Sequence, residues 1–157
     1  MPVRFYREED LPRIYSLEKE AHGNNAAPSR IIREAIEDGD CLVYDIDSPL
    51  GIMGFLIIEY DKRITDKDEY YTDDNQYPYV WDIAVANNTQ NMGMGSELMN
   101  KFESEFPNDD KLWLLVSTNN PAYNFYYKLG YRADGFVRNY YRTDEHAIVM
   151  VKRNIVE

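Results

Sequence analysis

The stretch that decides the fold is Tyr79-Val80-Trp81-Asp82-Ile83-Ala84-Val85-Ala86, followed closely by Gln90-Asn91-Met92-Gly93-Met94-Gly95-Ser96. The first run is apolar apart from Asp82, which is typical of a strand buried on both faces. Apolar residues recur at helical spacing after the glycines and predict a helix over 94–106. A helix N-terminus offers unpaired N–H groups and the positive end of the helix dipole. The glycine turn therefore predicts a cradle for a phosphate or pyrophosphate.

The glycine turn differs from two common phosphate-binding loops. No Gly-Lys-Ser/Thr follows it, so it is not a P-loop. Leu98 stands where the dinucleotide fingerprint G-x-G-x-x-G has its third glycine. Because glycine also serves ordinary tight turns, the turn by itself does not assign a function.

Outward from this turn, the chain alternates helical and strand patterns. Helices are predicted over 11–21, 29–37, 94–106 and 121–129. Strands are predicted over 41–46, 52–60, 79–86, 112–116, 131–138 and 147–152. This order predicts one α/β domain over 1–157, with a mixed central sheet of about six to seven strands flanked by four helices. The acid-rich, polar segment 61–76 is expected to be an insertion forming a loop or an extended arm.

The composition limits the classes of partner and compartment. The chain has 157 residues, 44% of them hydrophobic, which fits one globular domain. A net charge of −11 argues against nucleic acid and anionic lipid and favours a cationic or amine-bearing partner. No apolar run is long enough to span a bilayer, and no secretory signal is evident. The single Cys41 fits a reducing cytoplasm, and two histidines with one cysteine predict no His/Cys metal site.

A second motif gives the glycine turn its context. Asn119-Asn120-Pro121-Ala122-Tyr123-Asn124-Phe125-Tyr126-Tyr127-Lys128-Leu129-Gly130-Tyr131 follows it in the chain. The two together resemble the GNAT superfamily of N-acetyltransferases, which carries a Q/R-x-x-G-x-G/A turn and a later N-x-x-A-x-x-F-Y-x-x-x-G-F/Y segment. The segments 16–22, 138–141 and 144–150 resemble the RimI-like protein N-terminal acetyltransferases of that family. The resemblance covers most of the chain, leaves 61–76 unmatched, and implies a GNAT-like fold with acetyl-CoA as co-substrate.

The resemblance also implies which residues meet the cofactor. The backbone at the end of the central strand would hold the thioester and its developing oxyanion, through Ile83, Ala84 and Val85. The turn would wrap the pyrophosphate, through Gln90, Asn91, Met92, Gly93, Met94, Gly95 and Ser96. Asn119 matches the asparagine that contacts the cofactor, although Asn120 could take that role. Either asparagine could instead cap the following helix.

Catalytic roles follow from the same resemblance. Tyr126 matches the family tyrosine that protonates the departing thiolate. The alternative is that Tyr126 is simply an aromatic residue packed in the core. The strand 112–116 lacks the glutamate base of RimI-like enzymes. Tyr79, acting with an ordered water, is the first candidate base. Asp82 is the second, unless it is a structural hydrogen-bond hub.

The acceptor is predicted to be the α-amino group of a protein or peptide. An α-amine is about 14% neutral at pH 7 and a lysine about 0.04%, so an N-terminus needs only a weak base. Tyr140 and Tyr141 match aromatics of the peptide entrance, and Glu18 and His22 would lie near the acceptor's first residues. Tyr140 and Tyr141 could instead be ordinary packing residues, and Glu18 and His22 could instead be surface residues. A small-amine or polyamine acetyltransferase and a non-catalytic acyl-CoA-binding module are the alternatives, and a homodimer is left open.

Overall fold

The computed structural model describes residues 2–60, 77–89 and 92–153. The predicted insertion 61–76, Gln90 and Asn91 lie outside these ranges. The described chain contains the helices α1 (Leu11–His22), α2 (Ser29–Asp38), α3 (Met94–Ser104) and α4 (Ala122–Lys128). Its strands are β1 (Val3–Phe5), β2 (Asp40–Tyr44), β3 (Gly54–Tyr60), β4 (Pro78–Val85), β5 (Lys111–Ser117), β6 (Arg132–Arg142) and β7 (Glu145–Arg153).

The strands of the described chain form a seven-stranded mixed sheet in the order β1-β2-β3-β4-β5-β7-β6. Strands β4 and β5 run parallel, whereas β5 and β6 each pair antiparallel with β7. The predicted α/β class, strand number and four helices are therefore confirmed. Strand β1 was not predicted, because three residues are too few to show an alternating pattern.

The chain forms two compact units, and each is described by itself. The first unit comprises Met1–Glu59 and Trp81–Glu105, and the second comprises Tyr60–Val80 and Phe106–Glu157. The expectation of one domain over 1–157 stays a prediction.

In the first unit, α1 forms because its apolar residues recur on one helix face. Leu11, Ile14 and Leu17 are buried on that face, Pro12 occupies the first turn, and Gly23 ends the helix at φ +54°. Strands β1, β2 and β3 pair antiparallel in sequence order, and the connection 45–53 joins β2 to β3. The fully buried core of this unit includes Ile14, Leu17, Leu42, Phe55, Leu98 and Phe102.

In the second unit, β5 is the buried strand. It pairs along its whole length with β7, from Lys111 opposite Arg153 to Ser117 opposite Ala147. Strand β6 is longer than predicted and mostly exposed, and its register against β7 shifts between Val137 and Arg142. Buried Leu112, Leu114, Tyr131, Val149 and Met150 form the core of this unit. Over the described ranges, none of the helices has both the length and the apolar content that crossing a membrane requires.

Candidate functional site

The predicted glycine turn has the geometry of an open cradle. Gly93 immediately precedes α3 with φ +80° and ψ 7°, a left-handed conformation that favours glycine. A Cβ built on Gly93 would meet no atom of the described residues within 4 Å, so those residues leave the space beside the turn open. Glu97 N–H donates to the Gly93 carbonyl at 3.0 Å and starts the helical ladder. The earlier N–H groups of α3 have no acceptor within a helix of this kind, which is the arrangement that binds anions at helix N-termini.

The remaining predicted residues of the turn divide by exposure. Met92 is exposed, Gly95 and Ser96 are half-buried, and the side chain of Met94 is buried in the core. Met94 therefore has only its backbone to offer a ligand. Gln90 and Asn91, which were predicted to bind the same group, lie outside the described residues.

Strand β4 leads into this turn in the first unit. Ala84 is buried, whereas Ile83 and Val85 are half-buried, so the prediction of a strand buried on both faces is wrong for its second half. A Cβ on Gly54 of β3 would lie 3.1 Å from the Ala84 carbonyl oxygen and 3.3 Å from Leu98 Cδ1. Glycine at that position therefore lets β3 pack closely against the end of β4.

A cluster of three ionisable side chains, Glu18, His22 and Asp82, lies in the same unit. His22 Nε2 is 3.2 Å from Asp82 Oδ1 and 3.5 Å from Glu18 Oε1. The other carboxylate oxygen of Glu18, Oε2, accepts a hydrogen bond from the Ala27 N–H at 2.8 Å. The structure thus brings together two residues predicted to bind the acceptor and one candidate base. Their roles stay predictions.

Helix register explains why Glu18 enters this cluster. Glu18 follows Leu11 and Ile14 at intervals of seven and four, so all three share the core-facing side of α1. Its side chain is 4% exposed, and the interpretation of Glu18 as a surface residue is wrong. His22 is one turn further along and is one-third exposed, so the cluster reaches solvent at the imidazole.

The environment of the cluster shifts two pKa values. Burial raises the pKa of Glu18 to about 8, and hydrogen bonding and charge repulsion from Asp82 add to that effect. The hydrogen bond to Asp82 raises the pKa of His22, and burial opposes that rise without cancelling it. Protons are therefore held more tightly on Glu18 and His22 than on the free side chains.

Tyr126 of α4 is a buried aromatic of the second unit. Its ring makes edge contacts with Phe125, with centroids 5.2 Å apart, and with Tyr131, with centroids 6.3 Å apart. The residue is 7% exposed. This packing fits both alternatives for Tyr126, since a general acid needs a fixed ring as much as a core aromatic does.

The two adjacent asparagines before α4 have different partners. Asn120 Oδ1 accepts from the Ala122 N–H at 2.9 Å and so caps the helix. Asn119 is exposed, and its own N–H donates to Ser117 Oγ at 3.1 Å. Of the two, Asn120 is thus committed to the cap, and Asn119 stays the predicted cofactor ligand.

Tyr79 is fixed by a stacked aromatic pair. Its ring lies over Trp113 with centroids 4.4 Å apart, where β4 and β5 run side by side in the second unit. Tyr79 is buried, at 6% exposure.

The predicted entrance aromatics lie on the edge strand β6. Tyr140 and Tyr141 are 37% and 43% exposed, and their rings meet edge-on with centroids 5.0 Å apart. Asn139, just before them, has φ +55° and its N–H donates to His146 Nδ1 at 2.8 Å. The two aromatics are therefore presented to solvent at a kink in the strand.

Glu145 lies in the segment 144–150, and the sequence did not single it out as a candidate base. Its Oε2 accepts from Ser117 Oγ at 2.6 Å, and its Oε1 lies 3.0 Å from Arg142 Nε. A carboxylate thus stands at the end of β5, although no base was found in the strand itself. The antiparallel pairing of β5 with β7 produces this contact, and a one-dimensional motif does not show it.

Comparison with known proteins gives one family. The profile described as the acetyltransferase (GNAT) family matches residues 4–131. An uncharacterized N-acetyltransferase of Methanocaldococcus jannaschii is 25% identical over 98% of this chain and 92% of its own length. Two solved structures share the fold. The ribosomal-protein-S18-alanine N-acetyltransferase of Escherichia coli has a TM-score of 0.77 at 23% identity, over 99% of this chain and 94% of its own. An aminoglycoside 6'-N-acetyltransferase complexed with coenzyme A has a TM-score of 0.78 at 15% identity, over 100% of this chain and 99% of its own.

Proposed function

Because the chain belongs to the GNAT acetyltransferase family, we propose that it acetylates the α-amino group of protein or peptide N-termini. The family makes it an acetyl-CoA-dependent N-acetyltransferase. The similar structures include enzymes named for a ribosomal-protein alanine and for an aminoglycoside, so the fold alone does not choose the acceptor. The choice of an N-terminus rests on the chemistry of this chain's own residues.

The residues of the first unit fit acetyl-CoA. The turn at Gly93 stands at the start of an eleven-residue helix, and the described residues leave the space beside Gly93 open. Gly93 to Ser96 would hold the pyrophosphate, and the backbone of Ile83 to Val85 would hold the pantetheine and the thioester carbonyl. Acetyl-CoA would supply the activated acyl group. The chain would position the thioester and stabilise the negative charge that develops on its carbonyl oxygen.

The cluster of Glu18, His22 and Asp82 carries the acceptor proposal. Two carboxylates meet one imidazole there, and the imidazole side is open to solvent. Asp82 and Glu18 offer oxygen atoms to an amine there, and the net charge of −11 gives the chain a long-range field that attracts cations. An ammonium group can also donate up to three hydrogen bonds, which carboxylates accept.

An N-terminal amine suits the weak bases that are available. Its pKa of about 7.8 leaves roughly one molecule in seven neutral at pH 7, whereas a lysine is almost wholly charged. The proton would leave through an ordered water beside Tyr79, or to Asp82. Neither group is a strong base, so an acceptor that is partly neutral in solution is favoured over a lysine side chain.

The bond changes follow from the family's reaction. The neutral amine nitrogen attacks the thioester carbonyl carbon, a C–N bond forms, and the C–S bond breaks. We assign to Tyr126 the delivery of a proton to the departing thiolate. The amine loses one proton to solvent or to Asp82, and Tyr126 regains a proton from solvent, so charge and atoms balance and the enzyme is restored.

A panel of acceptors tests the proposal. Labelled acetyl-CoA is incubated with a lysine-containing peptide bearing a free N-terminus, with the same peptide formylated at its N-terminus, and with spermidine. We expect acetylation of the free peptide only, with a rate that rises with pH through about 7.8. Brisk acetylation of spermidine or of the blocked peptide would favour the small-amine alternative. Binding of acetyl-CoA without turnover of any acceptor would favour the non-catalytic module.

A further inference from the structure

The cluster of Glu18, His22 and Asp82 also has the geometry of a metal site. One donor atom from each side chain lies within 4.8 Å of the other two. In the described part of the chain, no other group of three His, Cys, Asp or Glu side chains is so close. Ligands about 2.0–2.1 Å from a tetrahedral ion are separated by about 3.3 Å. The distances from His22 Nε2 to the two carboxylates, 3.2 and 3.5 Å, are of that size.

One buried oxygen atom of the cluster receives no hydrogen bond. Glu18 Oε1 is buried and, among the described residues, no N–H or O–H group donates a hydrogen bond to it, since the neighbouring Asp82 is itself a carboxylate. The Glu18 side chain is 4% exposed, so water does not reach that oxygen freely. A buried carboxylate oxygen without a donor is costly, and a cation bound between the three side chains removes that cost.

A hydrogen bond and a shared helix hold two side chains of the cluster in place, as such contacts do for metal ligands in proteins. Glu18 Oε2 is held by the Ala27 N–H at 2.8 Å, which fixes the carboxylate and leaves Oε1 as a single donor atom. Glu18 and His22 are one helical turn apart on α1, so both are presented by one rigid element. The imidazole is one-third exposed, which gives an ion a path from solvent.

We propose that Glu18, His22 and Asp82 bind a zinc ion. An imidazole nitrogen with two carboxylate oxygens suits Zn²⁺, whereas Mg²⁺ and Ca²⁺ prefer oxygen ligands alone. Three protein ligands leave one coordination position open toward solvent. The His/Cys count of the sequence did not suggest this site, because two of its three ligands are carboxylates. The same carboxylates do not hold zinc and the acceptor's amine at once, so zinc is expected to compete with the acceptor. Zinc binding is therefore tested without an acceptor, and its outcome does not depend on acetyltransferase activity.

Calorimetric titration of the chelator-treated full-length protein with ZnCl₂ tests the site. We expect one ion per chain with an apparent Kd of about 10 μM or tighter, and no binding of Mg²⁺ in the same range. Co²⁺ in place of Zn²⁺ should give the visible absorption of a four-coordinate ion. Glu18→Gln, His22→Gln and Asp82→Asn should each weaken binding by at least about tenfold.

Two variants serve as matched controls. Glu20→Gln removes an exposed carboxylate from the same helix, and His146→Gln removes the other histidine of the chain. Both should bind zinc as the wild type does. Each protein is checked by circular dichroism, and since the three ligand variants are independent, one that fails to fold leaves two to decide. The proposal is overturned if the wild type binds no zinc, or if all folded ligand variants bind it unchanged.

Discussion

The ring of Tyr126 is held by neighbours on two sides. Phe125 precedes it on α4, and Tyr131 follows the helix after Gly130, which has φ +102°. These edge contacts restrict the ring and so fix the direction of its hydroxyl group. A fixed phenol can deliver a proton to a thiolate at a set position, which is what the proposed reaction asks of it.

At the residue scale, this assignment predicts a selective loss of turnover. Tyr126→Phe keeps the ring and its packing but removes the acidic proton. We expect kcat to fall by roughly 10² or more with little change in acetyl-CoA affinity. Steady-state kinetics and calorimetry measure the two quantities. Tyr127→Phe, at the exposed neighbouring position, is the control and should retain wild-type turnover. Wild-type kcat in Tyr126→Phe would make Tyr126 a core residue.

The turn from β4 into α3 is the element to which we assign the binding of the cofactor pyrophosphate. The helix supplies N–H groups with no partner inside it, and Gly93 supplies a backbone without a side chain where an anion must approach. Because a Cβ at Gly93 meets no atom of the described residues within 4 Å, a larger side chain there would not clash with the described core. A substitution at Gly93 therefore tests the ligand rather than the packing.

At the scale of this element, Gly93→Glu is expected to weaken the affinity for acetyl-CoA by about 10²-fold or more. The reason is that the new carboxylate would occupy the pyrophosphate position. Calorimetry on the folded variant measures the loss. Gly51→Glu places the same charge at another glycine with positive φ, in the turn between β2 and β3, and controls for backbone strain. If the two variants bind acetyl-CoA equally well, the turn does not hold the cofactor.

The stability of the whole molecule depends on how its many acidic groups are paired. The chain carries 28 acidic and 17 basic residues, so most carboxylates gain little from long-range attraction. The carboxylates of Asp10 and Asp45 are exceptions. The Arg4 guanidinium donates to both oxygens of Asp10 at 2.8 and 3.1 Å and to Asp45 at 2.9 Å. The Arg7 N–H adds a hydrogen bond to Asp10 at 2.7 Å.

These contacts give acid stability a predictable direction. Burial alone would raise the pKa of Asp10, but the hydrogen bonds from Arg4 and Arg7 outweigh it and lower the pKa below its ordinary 3.8. A lowered folded-state pKa contributes stability above pH 3.8, and that contribution is lost as the pH falls through the folded-state value. Protonation of Asp10 therefore favours unfolding.

For the whole molecule, Asp10→Asn should reduce the free energy of unfolding at pH 7 by about 1–3 kcal/mol. The difference from the wild type should shrink as the pH falls below the ordinary pKa of Asp10. Urea unfolding between pH 3 and pH 7 measures both trends. Asp38→Asn, at an exposed position, is the matched control and should show neither trend. A constant difference across the pH range would show that the charge of Asp10 is not the source of its effect.

Local patterns were enough to predict most of the fold. Helical spacing at Leu11, Ile14 and Leu17 gave α1, and the glycine turn gave the start of α3, because both depend on neighbours within a few positions. The same locality explains the errors. Strand β1 is too short for a pattern, and β6 extends past Arg138 because its pairing with β7 continues beyond a kink at Asn139.

The sequence by itself determined the family, the cofactor and the residues of the two motifs. Each motif is a continuous segment, so its residue types and spacing can be read directly from the sequence. Only the tertiary structure decided the environment of Glu18 and its meeting with His22 and Asp82. Asp82 is far from α1 along the chain, and the packing of α1 in the first unit brings the two carboxylates to one imidazole. Burial and proximity to charge raise the pKa of Glu18, and the proposed cation site uses the same contacts between distant segments.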